Sequence, residues 1–270
     1  MFRTLAAAMV AVLAAGVAMA ESPLKRLDTG DEGRGWEAVG RLDIDGRGFC
    51  TGALIAPDLV LTAAHCLFDK RTGRRIDHAR VEFLAGWRNG RASAYRDVRR
   101  AVTHPDYVYQ AAVSPDRVRN DVALLELHHP IQNTQVVPFQ TEGRPRKGQE
   151  IGVVSYARDR SDAPSLQEVC AVVARQQGVL IMSCDVDFGS SGAPIFSFEA
   201  GEPRVVSVVS AMAEVDGRKV SLGTQLQKPL QDLMGALAAG QGVFQNDAPR
   251  MSTTGERRST GAKFAKPKFE

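Results

Sequence analysis

Val205-Val206-Ser207-Val208-Val209-Ser210-Ala211-Met212 is a short β-like run, and it belongs to a series. Working back from it, Val179–Ser183, Ile151–Val154, Val122–Leu127 and Val81–Ala85 have the same character, each broken from the next by Gly, Pro, Asp or Asn. The series fills the chain from Ala38 to about Thr224. Amphipathic helices of roughly 10 to 15 residues, which βαβ units require, do not occur between these runs. The expectation is an all-β barrel or sandwich. Beyond the series one helix is convincing: Leu230, Leu233, Met234 and Leu237 recur at i, i+3, i+4 and i+7, with Pro229 at its start and Gly240 after its last turn.

Composition sets the outer bounds. The 270 residues are 44% hydrophobic, 24% charged and 6% aromatic, which excludes a wholly disordered or fibrous chain. The formal charge of +3 is small for this length and gives no reason to expect nucleic acid as a partner. With the ends trimmed, the length suits one domain or two small cores sharing a face.

Both ends stand apart from the β-rich middle. Arg3 precedes an apolar run from Leu5 to Val17, and Ala18-Met19-Ala20 supplies the small residues of a cleavage site. This pattern predicts a secretory signal over 1–20, cut after Ala20. The run is too short for a membrane span, which needs roughly 20 apolar residues. A soluble chain outside the cytoplasm, secreted or periplasmic and beginning near Glu21, is the expectation. At the other end, residues 241–270 are assigned as a basic tail, with six Lys or Arg against three acids between 246 and 270.

Export changes how cysteines are read. Cys50, Cys66, Cys170 and Cys184 form an even set, and an oxidising compartment favours two disulfides over metal ligands. Four cysteines admit three pairings. The short separations favour Cys50–Cys66 and Cys170–Cys184, each closing a loop of about 15 residues worth about 3 kcal/mol. The chain has no C-x-x-C and its histidines are scattered, so no metal site is expected; His128 and His129, beside Pro130, read as a solvated loop.

Three segments carry chemistry. Leu61-Thr62-Ala63-Ala64-His65-Cys66 comes first, preceded by Cys50-Thr51-Gly52-Ala53-Leu54-Ile55. Asn120-Asp121-Val122-Ala123-Leu124-Leu125 is second, and Cys184-Asp185-Val186-Asp187-Phe188-Gly189-Ser190-Ser191-Gly192-Ala193-Pro194 is third. Together, in this order, they resemble the chymotrypsin-like (trypsin-fold) serine proteases, in which T-A-A-H-C, N-D-hydrophobic and G-x-S-G-x-P segments carry base, orienting acid and nucleophile. His104-Pro105-Asp106-Tyr107 adds a stretch often seen upstream of the acid.

The resemblance implies two six-stranded antiparallel β-barrels over 21–240, split near 135–150, with a C-terminal helix. It implies Ser191 as nucleophile, His65 as general base and Asp121 as the group that orients His65. The backbone N–H groups of Gly189 and Ser191 would form an oxyanion hole, where one donor is typically worth about 3 to 4 kcal/mol. Cys50 and Cys66 bracket the histidine at the family's spacing. The order His, Asp, Ser differs from that of subtilisins and α/β-hydrolases. No cofactor is implied, the partner is a polypeptide substrate, and a monomer is expected.

Departures limit what carries over. Ser190 stands where animal trypsins have the Asp that pairs with a new N-terminus, and no Arg-Ile-Val-Gly-Gly occurs near Glu21–Val39, so that switch is expected to be absent. G-S-S-G-A-P resembles bacterial secreted members, including the glutamyl-endopeptidase-like branch. Asp185 falls where trypsins place a carboxylate for P1 Arg or Lys, or else it is a structural residue beside Cys184. Ser210 aligns with the serine that supports the buried acid and lines the cleft. Met212 falls near a pocket wall that its bulk would narrow. A silent homologue acting as a binding module is the rival reading, but its usual sign, a lost triad member, is not seen.

Overall fold

The computed structural model describes residues 21–243, apart from 111, 144 and 216. The expected signal segment, 1–20, and the basic stretch 246–270 lie outside the described residues. After a short strand β1 (Lys25–Arg26), six strands follow: β2 (Val39–Ile44), β3 (Gly48–Ala56), β4 (Leu59–Thr62), β5 (Val81–Ala85), β6 (Ala94–Thr103) and β7 (Ala123–Leu127). They close into a barrel in the order β2-β3-β4-β7-β6-β5. A short helix, α1 (Pro115–Arg119), sits just ahead of β7, and Ser114 caps it by accepting from the Arg117 N–H.

A second set follows a connection with no named strand. It comprises β8 (Glu150–Ala157), β9 (Arg160–Gln176), β10 (Val179–Met182), β11 (Pro194–Ser197), β12 (Arg204–Val215) and β13 (Arg218–Thr224). Its order is β9-β10-β13-β12-β11-β8, and pairing of β8 with β9 closes it as the second six-stranded antiparallel barrel. The helix α2 (Gln227–Ala238) ends the series.

Local chemistry explains the hairpins. Asp45 and Gly46 both hold positive φ, 57° and 63°, between β2 and β3. Gln177 and Gly178 do the same between β9 and β10, at 51° and 83°. Two successive left-handed residues give the turn whose twist matches that of the flanking strands. Strands read from the sequence run longer here: Val205–Met212 sits inside the twelve-residue β12, whose stretch from Val205 to Ser210 is buried throughout. A strand covered on both faces needs no polar alternation.

Two buried clusters fill the molecule. The larger occupies the first barrel and extends across the junction to Tyr156, Leu166, Phe196 and Val208; the smaller, around Ile151, Leu180, Met182 and Ile195, fills the second. Trp36 and Phe139 pack against Phe196 at the junction, with ring centroids 5.1 and 4.7 Å from it. This packing joins the segments that flank the first barrel, at Trp36 and Phe139, to β11 of the second.

Two details of the C-terminal helix differ from the sequence reading. It starts at Gln227 rather than Pro229, since the first-turn positions have no intrahelical N–H bonds to lose and proline is tolerated there. Met234 is exposed, while Leu233 and Ala236 are buried. The chain past the helix returns to the first barrel, where Ala101 N–H donates to Gly242 O at 3.0 Å.

Candidate active site

The first barrel carries His65 and Asp121. His65 lies on a single 3-10 turn, Ala64–Leu67, directly after β4, and Cys66 on that turn is disulfide-bonded to Cys50 on β3. The second disulfide joins Cys170 to Cys184, so both sequential pairings are present. His65 offers nitrogen beside Cys50 and Cys66, but sulfurs joined to each other present no thiolate to a metal. Asp121 follows α1 and precedes β7, and it is fully buried.

Three donors converge on the Asp121 carboxylate. His65 Nδ1 lies 2.7 Å from Oδ2, the His65 backbone N–H donates to Oδ1 at 2.8 Å, and the Ser210 hydroxyl donates to Oδ2 at 2.5 Å. Burial pushes this carboxyl up, but the facing His65 and the hydrogen bonds from His65 and Ser210 outweigh it, and the net direction is down. Asp121 is therefore ionised, and its acceptor atoms hold the imidazole in one orientation.

The second barrel supplies Ser191. The turn that carries it is built on two glycines with positive φ, Gly189 at 103° and Gly192 at 76°. A Cβ on Gly192 would come within 2.1 Å of Thr62 Oγ1 and 2.8 Å of Ala63 N, so the turn presses directly on the strand that leads to His65. Cys66 Sγ lies 3.9 Å from Ser191 O; a disulfide sulfur has no proton to give, so this is packing between the two segments. The structure thus brings the His65 and Ser191 segments together.

Backbone donors complete the picture. Ser190 N–H is engaged with Asp187 O and Gly192 N–H with Val209 O. Among the described residues, the N–H groups of Gly189 and Ser191 donate to no protein acceptor. Two free donors thus flank one occupied donor in the turn that carries the serine.

Sequence reasoning missed what holds that pair. Thr51, fully buried on β3, gives its backbone N–H to Ser191 O at 2.9 Å and its hydroxyl to Gly189 O at 2.9 Å. These two bonds anchor the turn to β3, while the peptides that carry the two free N–H groups are held at their own carbonyls, Phe188 O by Arg158 N–H at 2.7 Å and Ser190 O by Ala193 N–H at 2.9 Å. On the opposite side, Arg160 is buried and donates from Nη2 to Ser155 Oγ, which lies 3.1 Å from Ser190 Oγ. Ser190 Oγ also sits 3.2 Å from Tyr156 O and accepts from Asp187 N–H. Thr51 could have been found as the residue next to a bracketing cysteine, whereas Arg160 has no local signal.

The pocket residues are placed differently from the sequence reading. Ser210 is buried at the point where β12 leaves the core, and its hydroxyl donates to Asp121 Oδ2. Asp185 is exposed rather than sealed at the base of a pocket, and its N–H donates to Gln167 Oε1 at 2.7 Å. The reason is the loop's anchor: the Cys170–Cys184 bond and Gln167 fix the backbone and leave the side chain pointing outward. Met212 is 41% exposed beside Ser210.

Comparison with known proteins follows this geometry. The family described as a trypsin-like peptidase domain matches residues 50–206, more than half of the chain, and the chain belongs to that family. Among curated proteins, the glutamyl endopeptidase of Bacillus licheniformis is 24% identical over 190 residues, 68% of this chain and 58% of that protein. The trypsin of Phaedon cochleariae is 36% identical over 104 residues, 38% of this chain and 36% of that protein. The chain thus spans less than two thirds of these relatives' length. A solved structure of a Glu endopeptidase in complex with MPD superposes with a TM-score of 0.66 at 17% identity, covering 80% of this chain and 97% of that one. At that identity the likeness concerns the fold alone.

Proposed function

We propose that the protein is an exported serine endopeptidase that cuts polypeptides through an acyl-enzyme on Ser191. The observation that carries this reading is the buried Asp121–His65 pair packed against a serine turn with two free N–H donors. With its Nδ1 proton held by Asp121, the His65 ring presents Nε2 as an acceptor. Ser191 Oγ attacks the peptide carbonyl carbon, and its proton passes to Nε2. The carbonyl oxygen becomes an oxyanion, which the N–H groups of Gly189 and Ser191 stabilise. Collapse of the intermediate breaks the C–N bond, and Nε2 returns the proton to the departing amine. Water, deprotonated by the same nitrogen, then releases the acyl group. Every proton is carried by a side chain of this protein, and no cofactor enters the scheme.

Two disulfides support an oxidising location, secreted or periplasmic, and among the described residues no helix is long and apolar enough to cross a membrane. A monomer acting on polypeptide, with no nucleic-acid partner, completes the proposal. A fluorophosphonate probe tests it. Wild-type protein should be labelled at Ser191, located by peptide mass spectrometry, and Ser191→Ala should not be labelled. Intact, folded wild-type protein that takes no label and cuts no peptide would overturn the reading in favour of a silent binding module.

A further inference from the structure

A cavity of about 860 Å³ opens beside the catalytic residues, lined by His65, by the Cys50–Cys66 disulfide and by Gly189. Neither Ser210 nor Met212 lines it. Those two residues flank the site on the β12 side, where the acyl half of a substrate is expected. The cavity therefore receives the other half, the residues that follow the cut bond. Its volume falls within the range of about 300 to 1,000 Å³ typical of ligand sites.

Charge in this cavity is lopsided. Seven Lys or Arg line it against three Asp. All three carboxylates are already engaged. Asp45 pairs with Arg80 at 2.6 Å and with Arg47 at 3.4 Å. Asp69 accepts from the N–H groups of Arg71 and Thr72 and from the Thr72 hydroxyl, closing its own loop. Asp77 accepts from Ala79 N–H and lies 3.8 Å from His78. Arg75 is turned inward, with Nη2 donating to Ala101 O.

Four cations remain. Lys70, Arg71 and Arg74 project from the exposed loop that follows the histidine turn, and they form no ion pair among the described residues. Arg158 faces them from the second barrel, its guanidinium 5.0 Å from the Phe188 ring centroid. The two groups thus approach one cavity from different barrels. Arginine forks suit carboxylates, which they bind in pairs of parallel hydrogen bonds.

We propose that this basic basin selects substrates that carry Asp or Glu within the first three or so positions after the cut bond. The proposal deepens the endopeptidase reading and rests on it. Each carboxylate placed near an exposed cation should be worth roughly two- to fivefold, so two or three acids give about tenfold in kcat/KM at low salt. The advantage should shrink as salt rises, because at about 1 M the screening length is only about 3 Å.

Paired quenched-fluorescence peptides test it. They share their residues before the cut and differ after it, one with Asp-Glu-Asp and one with Asn-Gln-Asn. The expected result is a ratio of about ten for wild-type protein at low salt. The ratio should fall toward one in Arg71→Glu/Arg74→Glu and, for unaltered protein, at high salt. A ratio near one at low salt, or a ratio that survives charge reversal, would overturn the proposal. Fluorescence anisotropy of labelled acidic peptide on Ser191→Ala reads the basin without chemistry. Salt-sensitive binding there, with no cleavage by wild type, would sink the endopeptidase reading while sparing the basin. Equal affinity for the acidic and neutral peptides, alongside binding of a sulfated oligosaccharide, would overturn the peptide proposal.

Discussion

At the scale of single residues, Thr51 shows how one buried side chain shapes a catalytic surface it does not reach. Its hydroxyl holds Gly189 O and accepts from Tyr156 N–H, so Thr51→Val removes both bonds while keeping the shape. Loss of these bonds leaves Tyr156 N–H unpaired in the interior and should cost about 1 to 3 kcal/mol, read from a urea midpoint. The same change should lower kcat by about tenfold with KM little altered, because the turn that carries Ser191 loses an anchor to β3 and its backbone groups lose their fixed positions. An unchanged kcat would show that the turn holds itself.

Asp121 carries a pH signature. Its carboxyl is held below the ordinary value, so its ionised form stabilises the folded state above the unfolded pKa of about 3.9, and that contribution is lost as pH falls through the lower folded value. Acid unfolding should therefore steepen below about pH 4. Asp121→Asn should flatten that limb and lower kcat by roughly four orders of magnitude, since the amide favours the wrong tautomer of His65. Urea midpoints across pH 2.5 to 7, with kcat measured at pH 7 to 8, read both effects.

The pocket residues tell a third story at this scale. Asp185→Ser should change the preference for Arg or Lys before the cut by less than about tenfold, because Asp185 is exposed and an exposed carboxylate contributes little to pairing with a cation. Met212→Gly should widen tolerance for long side chains. A library cleavage profile that loses a basic preference a hundredfold in Asp185→Ser would contradict the outward placement of Asp185.

At the scale of elements, the histidine turn is the least self-sufficient piece. Four residues of 3-10 helix cannot stabilise themselves, and this turn is tied to β3 by Cys50–Cys66. Replacing that pair with alanines should cost about 3 kcal/mol and also depress activity. Replacing Cys170 and Cys184 should cost a similar amount and leave kcat nearer to wild type, a contrast readable by calorimetry and single-substrate kinetics. Equal kcat losses from both pairs would remove the special standing of the histidine turn.

Much of this level was legible in the chain. Val81–Ala85 coincides with β5, the cysteine separations anticipate both bonds, and the three motifs meet between the barrels. The two-residue β1, the five-residue α1 and the buried Arg160 were not legible. β1 and Arg160 owe their state to distant neighbours rather than to local pattern, β1 to β9 and Arg160 to Ser155, while α1 has a local cap in Ser114 but is too short to show a helical period. The outward turn of Asp185 was hidden for the same reason, since it depends on Gln167, eighteen residues away.

For the whole molecule, residues 246–270 are polar and offer little apolar surface to bury, so removing them should move the melting temperature by less than about 2 °C in a calorimetric scan. A shift of several degrees would mean that the basic stretch packs on the domain. Truncation before Gly242 should lower the melting temperature, because Ala101 N–H on β6 loses its acceptor.

The N-terminal segment raises a question of timing. Ser22 N–H donates to Val169 O, Lys25 and Arg26 pair with Leu166 and Ser165, and Leu27 is buried with its N–H on Pro164 O. Residues 22–27 are thus clasped by a strand made only after the entire first barrel. At about 5 to 20 residues per second, a ribosome takes on the order of ten seconds to cover that interval. That interval includes the synthesis of the first barrel, and until it ends residues 22–27 have no β9 to pair with. The clasp closes only when β9 arrives, so these residues are among the last of the described parts to reach their final place.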